Sequence, residues 1–366
     1  MCNKLITALF CGLLAAGVAA EILTPDKLYS DSEKRRLAQL PQPTAQDIAS
    51  GKLAEEAEDY LADQFPARDG WVTAKTLAEL ISGKRESGGV YFASDGYLID
   101  KFTAYSAKQF AKNVAALSAL GSKLSESGAA MRVMLVPTAA EVLSDKLPAF
   151  APNLDQGALI EYARVCGLDV TDVTEALRAH SDEYIYYKTD HHWTSLGAYY
   201  AYGAWKAAKG ETAEPLSAWT CETLCVDFRG TTYAKVNYPA APFDEIDAYY
   251  KRQHSVSYNA GAYTADSLYE RKYLGGSDKY AVFLNSNQAQ TVINGSGEGK
   301  LLIIKDSYAN TFAQFTADEY AETHLLDMRF YKGSVSDYVK ENGITEVLVL
   351  YNIPNFADDK GAAMAY

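Results

Sequence analysis

The chain has 366 residues, 48% hydrophobic and 22% charged, a balance that excludes the disordered and fibrous classes. Its 34 Lys and Arg against 47 Asp and Glu give a net charge of −13, so the cationic surface that phosphate backbones require is absent and nucleic acid is excluded as a partner. With only one extended apolar run, a polytopic membrane protein is excluded too.

That run, Leu5–Ala20, follows Lys4 and ends in Gly17-Val18-Ala19-Ala20 before Glu21. It is short for a membrane span of about 20 residues, and small residues at Val18 and Ala20 fit cleavage by signal peptidase. Residues 1–20 are therefore read as a signal peptide, with an uncleaved N-terminal anchor as the alternative. Both readings put the rest of the chain outside the cytoplasm. In an oxidising compartment Cys221 and Cys225 are expected to close a small disulfide loop. Cys166, set in Ala163-Arg164-Val165-Cys166-Gly167-Leu168, is expected to be a buried thiol.

Residues 21–89 read as a polar, helix-prone lead-in. Val90-Tyr91-Phe92 and Gly96-Tyr97-Leu98-Ile99 then flank Ser94-Asp95-Gly96 as a hairpin. Phe110, Val114, Leu117, Leu120 and Leu124 recur every three or four residues and predict one apolar helical stripe. Met131–Val136 predicts a strand buried on both faces. Further strands are expected at Leu168–Val170, Tyr184–Tyr187, Leu301–Ile304, Thr323–Leu326 and Glu346–Tyr351, with helices from Val173 and Ser195, after Ile304, and over Val335–Glu341. This alternation implies a doubly wound, mostly parallel α/β sheet over residues 90–366. Residues 215–299, with short aromatic strands and many tyrosines, read as a β-rich insertion packed on the sheet.

Ligands of such sheets bind beyond the carboxyl ends of the strands, and two strand-end loops carry chemistry. Leu301-Leu302-Ile303-Ile304-Lys305-Asp306-Ser307 runs a buried strand into a serine at a helix start, the placement of a hydrolase nucleophile. Ser307 lacks the flanking glycines of G-x-S-x-G, so a plain helix-capping serine is the alternative. The other loop, Tyr187-Lys188-Thr189-Asp190-His191-His192-Trp193, supplies a carboxylate and two of only five histidines. Asp190 and His192 are two apart, so both leave an extended segment on one side, an orienting acid beside a base. His191 is expected to point away. The competing metal site is the weaker reading, because adjacent histidines diverge in an extended segment and no HExxH motif accompanies them.

Asp190-His191-His192-Trp193-Thr194 together with Lys305-Asp306-Ser307-Tyr308-Ala309-Asn310 resembles the DHHW family, exported bacterial proteins similar to the SGNH-like acetyltransferases that modify alginate and other cell-surface polysaccharides. Glu33-Lys34-Arg35-Arg36-Leu37-Ala38, Asp63-Gln64-Phe65-Pro66-Ala67-Arg68-Asp69, Val136-Pro137-Thr138 and Leu348-Val349-Leu350-Tyr351-Asn352 extend the resemblance along the chain. It implies an SGNH-hydrolase-like fold in permuted chain order and a triad of Ser307 as nucleophile, His192 as base and Asp190 as orienting acid. It also implies a polysaccharide acceptor, an acyl donor supplied by a membrane-bound O-acyltransferase, and no cofactor. The Ser307 N–H is the first oxyanion donor in this scheme, with Asn287 or the Gly230 N–H as the second. Arg329, after a strand end, is a candidate for an anionic substrate group, a surface ion pair being its plainer role. The expected function is O-acetyl transfer, with an acetylesterase using the same triad or a non-catalytic polysaccharide-binding protein as alternatives.

Overall fold

A computed structural model describes residues 2–30 and 35–364. Glu33 and Lys34 of the resemblance lie outside them. The chain forms two compact units, Met1–Gly88 with Ala234–Ala240, and Gly89–Tyr233 with Ala241–Tyr366.

The first unit contains α1 (Cys2–Leu23), a two-residue ladder of β1 (Tyr29–Ser30) and β2 (Arg35–Arg36), helices α2 (Ala45–Ser50), α3 (Lys52–Gln64) and α4 (Arg68–Ile81), and β3 (Glu86–Ser87). Within α1, Lys4–Glu21 is long and apolar enough to cross a membrane by length and composition. The Asp63-Gln64 pair has a structural task here. Asp63 Oδ2 accepts the Ala38 N–H at 2.8 Å, and the buried Gln64 amide bonds the Lys27 N–H and the Lys27 and Ala38 carbonyls at 2.8–2.9 Å. Ala234–Ala240, placed in the insertion by sequence, joins this unit instead, held by Thr76 Oγ1 donating to the Val236 carbonyl at 2.7 Å.

The second unit opens with the expected hairpin, β4 (Val90–Phe92) and β5 (Leu98–Asp100), whose turn places Asp95 and Gly96 at positive φ. In chain order there follow α5 (Ala107–Glu126), β6 (Ala130–Val136), α6 (Ala139–Val142), α7 (Gln156–Val165), α8 (Thr174–Arg178), α9 (Ser195–Ala208), β7 (Thr220–Phe228), α10 (Thr231–Val236, of which residues 234–236 count with the first unit) and β8 (Asp244–Tyr250). The unit ends with β9 (Val256–Tyr258), β10 (Tyr263–Ala265), β11 (Gln290–Asn294), β12 (Lys300–Lys305), α11 (Ala309–Thr316), β13 (Glu322–Leu326), α12 (Val335–Asn342), β14 (Glu346–Asn352) and α13 (Ile353–Asp358).

The main sheet runs β10-β9-β11-β13-β12-β14-β6. Its β13-β12-β14-β6 half is parallel, and β11, β9 and β10 extend it antiparallel. Successive residues of the parallel strands feed opposite faces. Leu301, Ile303, Leu348 and Leu350 pack with α9 and α11, while Leu302, Ile304, Val347 and Val349 pack with α5, α7, α12 and α13. All five residues of the predicted α5 stripe are buried in this second layer. Caps fix the helix starts: Ser106, Asp155, Thr194 and Ser334 each accept a backbone N–H from the first turn.

Several expectations change. The insertion does more than pack on the sheet, since its β9, β10 and β11 belong to it. Leu168–Val170 contributes a single bridge, Val133 to Val170. Tyr184–Tyr187 is no sheet strand; its backbone closes on itself, Tyr187 N–H to the His192 carbonyl at 3.2 Å and Thr194 N–H to the Ile185 carbonyl at 2.9 Å. Its tyrosines are apolar enough to read as a strand, and burial in a loop produces the same run of letters. Cys221 and Cys225 are both free, because they lie along one strand, β7, where four residues span about 13 Å, far beyond disulfide reach. Cys166 caps α7 and is exposed, not buried.

Candidate active site

The parallel strand β12 ends at Lys305, and the Asp306 N–H still reaches the Leu350 carbonyl of β14 at 3.2 Å. The buried Asp306 carboxylate then accepts the N–H groups of Tyr308 (2.9 Å) and Asn352 (3.0 Å) and the Asn355 amide (2.8 Å). Burial raises its pKa, against the pull of those donors. This carboxylate ties the turn to the neighbouring strand end and presents Ser307, 8% exposed, ahead of the wholly buried α11. Among the described residues the Ser307 N–H donates to no protein group.

The second loop is fixed from two sides. Asp244, at the start of β8, accepts the N–H groups of Lys188 and Thr189 at 2.8 Å each, and the hydroxyls of Thr189 and Tyr184. From the other side, Asp190 Oδ2 accepts the Thr231 N–H at 2.7 Å and its hydroxyl at 3.0 Å. Asp190 Oδ1 accepts the His192 N–H at 3.0 Å and lies 2.5 Å from His192 Nδ1. The carboxylate only accepts, so Nδ1 carries the proton and Nε2 faces outward as a base. His192 Nε2 is 2.7 Å from Ser307 Oγ. Asp190, His192 and Ser307 are thus brought into one hydrogen-bonded relay, with the Asp190 and His192 side chains 1% and 6% exposed.

Two glycines make this approach feasible. A Cβ on Gly197 would lie 2.3 Å from the Ile185 carbonyl, so only glycine lets α9 pack on the loop. A Cβ on Gly230 would lie 2.1 Å from the Asp190 Cβ and 2.2 Å from Oδ2. Trp193 completes the anchoring by donating its indole N–H to the Tyr308 carbonyl (3.0 Å) and to Thr311 Oγ1 (2.8 Å).

His191 does not point away. The loop is a turn, not an extended segment, so its ring lies 3.8 Å from the His192 ring, with Nδ1 2.6 Å from Thr231 Oγ1. Potential metal-ligand atoms of Asp190, His191 and His192 all lie within 4.8 Å of one another. Both nitrogens of His192 already face Asp190 and Ser307, which makes acid–base work the better use of the cluster. The Gly230 N–H donates to Thr189 Oγ1 at 3.1 Å, so this residue serves the Asp190 end of the relay and its amide is not aimed at an oxyanion. Asn287 turns its Oδ1 to Lys305 Nζ, 2.9 Å away, so of its amide only the NH₂ could donate to an oxyanion. Arg329 grips the buried Asp327 through Nε (2.8 Å) and a second nitrogen (2.5 Å). Its side chain, 35% exposed, thus makes an ion pair from the surface to a buried carboxylate, the plainer of its two expected roles, and its guanidinium is not free for an anionic ligand.

Sequence reasoning missed Asp244 and Thr231, which lie far along the chain from the loop they hold. It also missed Lys305, wholly buried, its pKa lowered to about 8 by desolvation. Only its position one residue before the Asp-Ser pair marked it.

The DHHW family model matches residues 76–326. Among solved structures, a DHHW family protein from Eubacterium siraeum is 25% identical, covers 76% of this chain and 95% of its own, and superposes with a TM-score of 0.67. Bacillus cereus PatB1, solved with a sulfonyl adduct, is 20% identical over 74% of this chain and 97% of its own, with a TM-score of 0.62. The O-acetyltransferase domain of Pseudomonas putida AlgJ aligns more loosely, at 14% identity over 75% and 95% of the two chains and a TM-score of 0.49. No curated protein matches. With the family model spanning both the Asp190–His192 loop and Ser307, the chain belongs to the DHHW protein family.

Proposed function

We propose that this chain is an exported serine-dependent O-acetyltransferase that acts on a cell-surface or extracellular polysaccharide through an acyl-Ser307 intermediate, on an SGNH-like sheet in permuted order. The observation that carries the reading is the continuous contact Asp190 Oδ1–His192 Nδ1 and His192 Nε2–Ser307 Oγ, at 2.5 and 2.7 Å. PatB1, similar in fold, is solved with a sulfonyl adduct, the product a sulfonylating reagent leaves on an activated nucleophile. The apolar segment Lys4–Glu21 supports export.

In the reaction, His192 Nε2 takes the Ser307 proton as Oγ bonds to the acyl carbon of the donor ester, and the imidazolium is held by Asp190. The Ser307 N–H, which has no acceptor among the described residues, is the first donor to the oxyanion, and the Asn287 NH₂ is the candidate second. The imidazolium proton then passes to the leaving alkoxide. A sugar hydroxyl, deprotonated by the same His192, next attacks the acyl carbon; the bond to Ser307 Oγ breaks and the imidazolium returns its proton to Oγ, which regenerates the site. The test is release of p-nitrophenol from p-nitrophenyl acetate by the mature chain, with and without oligosaccharides, followed by mass spectrometry of the sugars. Ser307-dependent release with acetylated sugar is the expected result. Release with free acetate alone makes the chain an esterase, and release unchanged in Ser307→Ala refutes the triad.

A further inference from the structure

Tyr280, in the short turn Lys279–Val282 of the insertion, touches both partners of the proton transfer. Its ring lies parallel to the His192 imidazole, centroids 3.7 Å apart and planes 10° from parallel. Its hydroxyl donates to the Ser307 carbonyl at 3.1 Å. The ring is itself locked: it is 6% exposed, with Tyr187 edge-on at 6.2 Å and Phe283 at 5.4 Å. On the remaining sides of the imidazole stand His191 at 3.8 Å and Tyr308 at 5.2 Å.

Two physical effects follow from this arrangement. An aromatic face carries negative charge density, so it favours the imidazolium that forms as Ser307 gives up its proton. A side chain stacked on the base and bonded to the backbone of the nucleophile also fixes the gap between them, and small misplacements of reacting groups are costly in rate. Neither effect involves the substrate in the ground state. From this geometry we infer that Tyr280 is a positioning residue for acyl transfer, clamping the His192 ring and the Ser307 backbone in register. The inference rests on the proposed triad, and its signature is a loss confined to kcat.

The test compares Tyr280→Leu and Tyr280→Phe in the whole mature chain, with circular dichroism to verify folding. p-Nitrophenyl acetate kinetics and the rate of Ser307 labelling by a fluorophosphonate are the readouts. Tyr280→Leu, which removes the stack and the hydroxyl, should lower kcat and the labelling rate about 100-fold with KM within about threefold. Tyr280→Phe keeps the stack and should recover most of that, ending about fivefold below wild type. The inference is overturned if Tyr280→Leu keeps kcat within about threefold of wild type, if only KM changes, or if Tyr280→Phe falls as far as Tyr280→Leu. Should Tyr280→Leu not fold, Tyr280→Phe decides alone: a loss in kcat without change in KM upholds the clamp, and wild-type kcat or a KM effect refutes it. Wild-type chain that fails to label at Ser307 refutes the triad itself. Normal labelling of wild type and both variants at one rate refutes only the role of Tyr280.

Discussion

Lys305 offers a test of the site's electrostatics that needs no substrate. The residue is 1% exposed, and its ammonium sits on two neutral oxygens, Asn287 Oδ1 at 2.9 Å and Asn310 Oδ1 at 2.8 Å. The nearest carboxylate, Asp327, is 3.9 Å away and already paired with Arg329. Desolvation therefore wins over attraction and lowers the Lys305 pKa from 10.5 to about 8. At about 1.4 kcal/mol per pH unit, that is a penalty of about 3 kcal/mol on the folded state while the lysine is charged. Between about pH 8 and 10.5 the unfolded chain holds this proton and the folded chain does not, so the penalty is full below pH 8 and fades as pH rises. Lys305→Met removes the penalty but leaves two amide oxygens unpaired, at about 1–3 kcal/mol each. The two effects are of similar size at pH 7, and only the pH dependence separates them. Denaturant unfolding of both proteins from pH 7 to 9.5 should show wild type gaining about 2 kcal/mol on the variant. A difference constant within about 0.5 kcal/mol over that range would mean that Lys305 is not a penalised buried cation, and the reasoning fails.

Asp190→Asn keeps the shape of the relay but invites the wrong histidine tautomer, and kcat for p-nitrophenyl acetate should fall about 10⁴-fold. Gly230→Ala would drive a methyl group into the Asp190 side chain, and kcat should drop by about 100-fold with little change in KM, measured on the same ester. Arg329→Ala strips the guanidinium from the fully buried Asp327 and leaves it the residue 329 N–H and the Lys305 ammonium at 3.9 Å; it should cost about 3 kcal/mol in denaturant unfolding and leave KM for a neutral ester unchanged. A KM effect with unaltered stability would restore Arg329 as a substrate-binding group.

The parallel half of the sheet was readable because its signals are local. Leu301–Ile304 and Glu346–Tyr351 are short apolar runs bounded by polar residues, and the α5 stripe repeats at helical spacing. The two reactive loops were readable because the chain has only five histidines, and because an Asp-x-His pair and an Asp-Ser pair each stood at a predicted strand end. What escaped depends on contacts distant in sequence. Nothing near Asp244 announces that it holds residues 188 and 189, and Tyr280 is one of 27 tyrosines whose stacking partner is set by tertiary packing. The Tyr184–Tyr187 run failed for a different reason: periodicity registers burial, and a buried loop satisfies it as well as a strand does. Glycine was informative only in retrospect, since a Gly230 that makes room for a carboxylate looks in sequence like any turn glycine.

His192 and Ser307 stand 115 residues apart in the chain, and the clamps on Asp190 come from Thr231 and, through the adjoining backbone, Asp244. Contacts of such long range form late, after the loops between them have closed. Under the function proposed above, a partly synthesised chain, or one held unfolded for passage across a membrane, would have a serine no more reactive than any other. Acyl esters met on the way would be left untouched, and the proposed chemistry would switch on only where folding is completed.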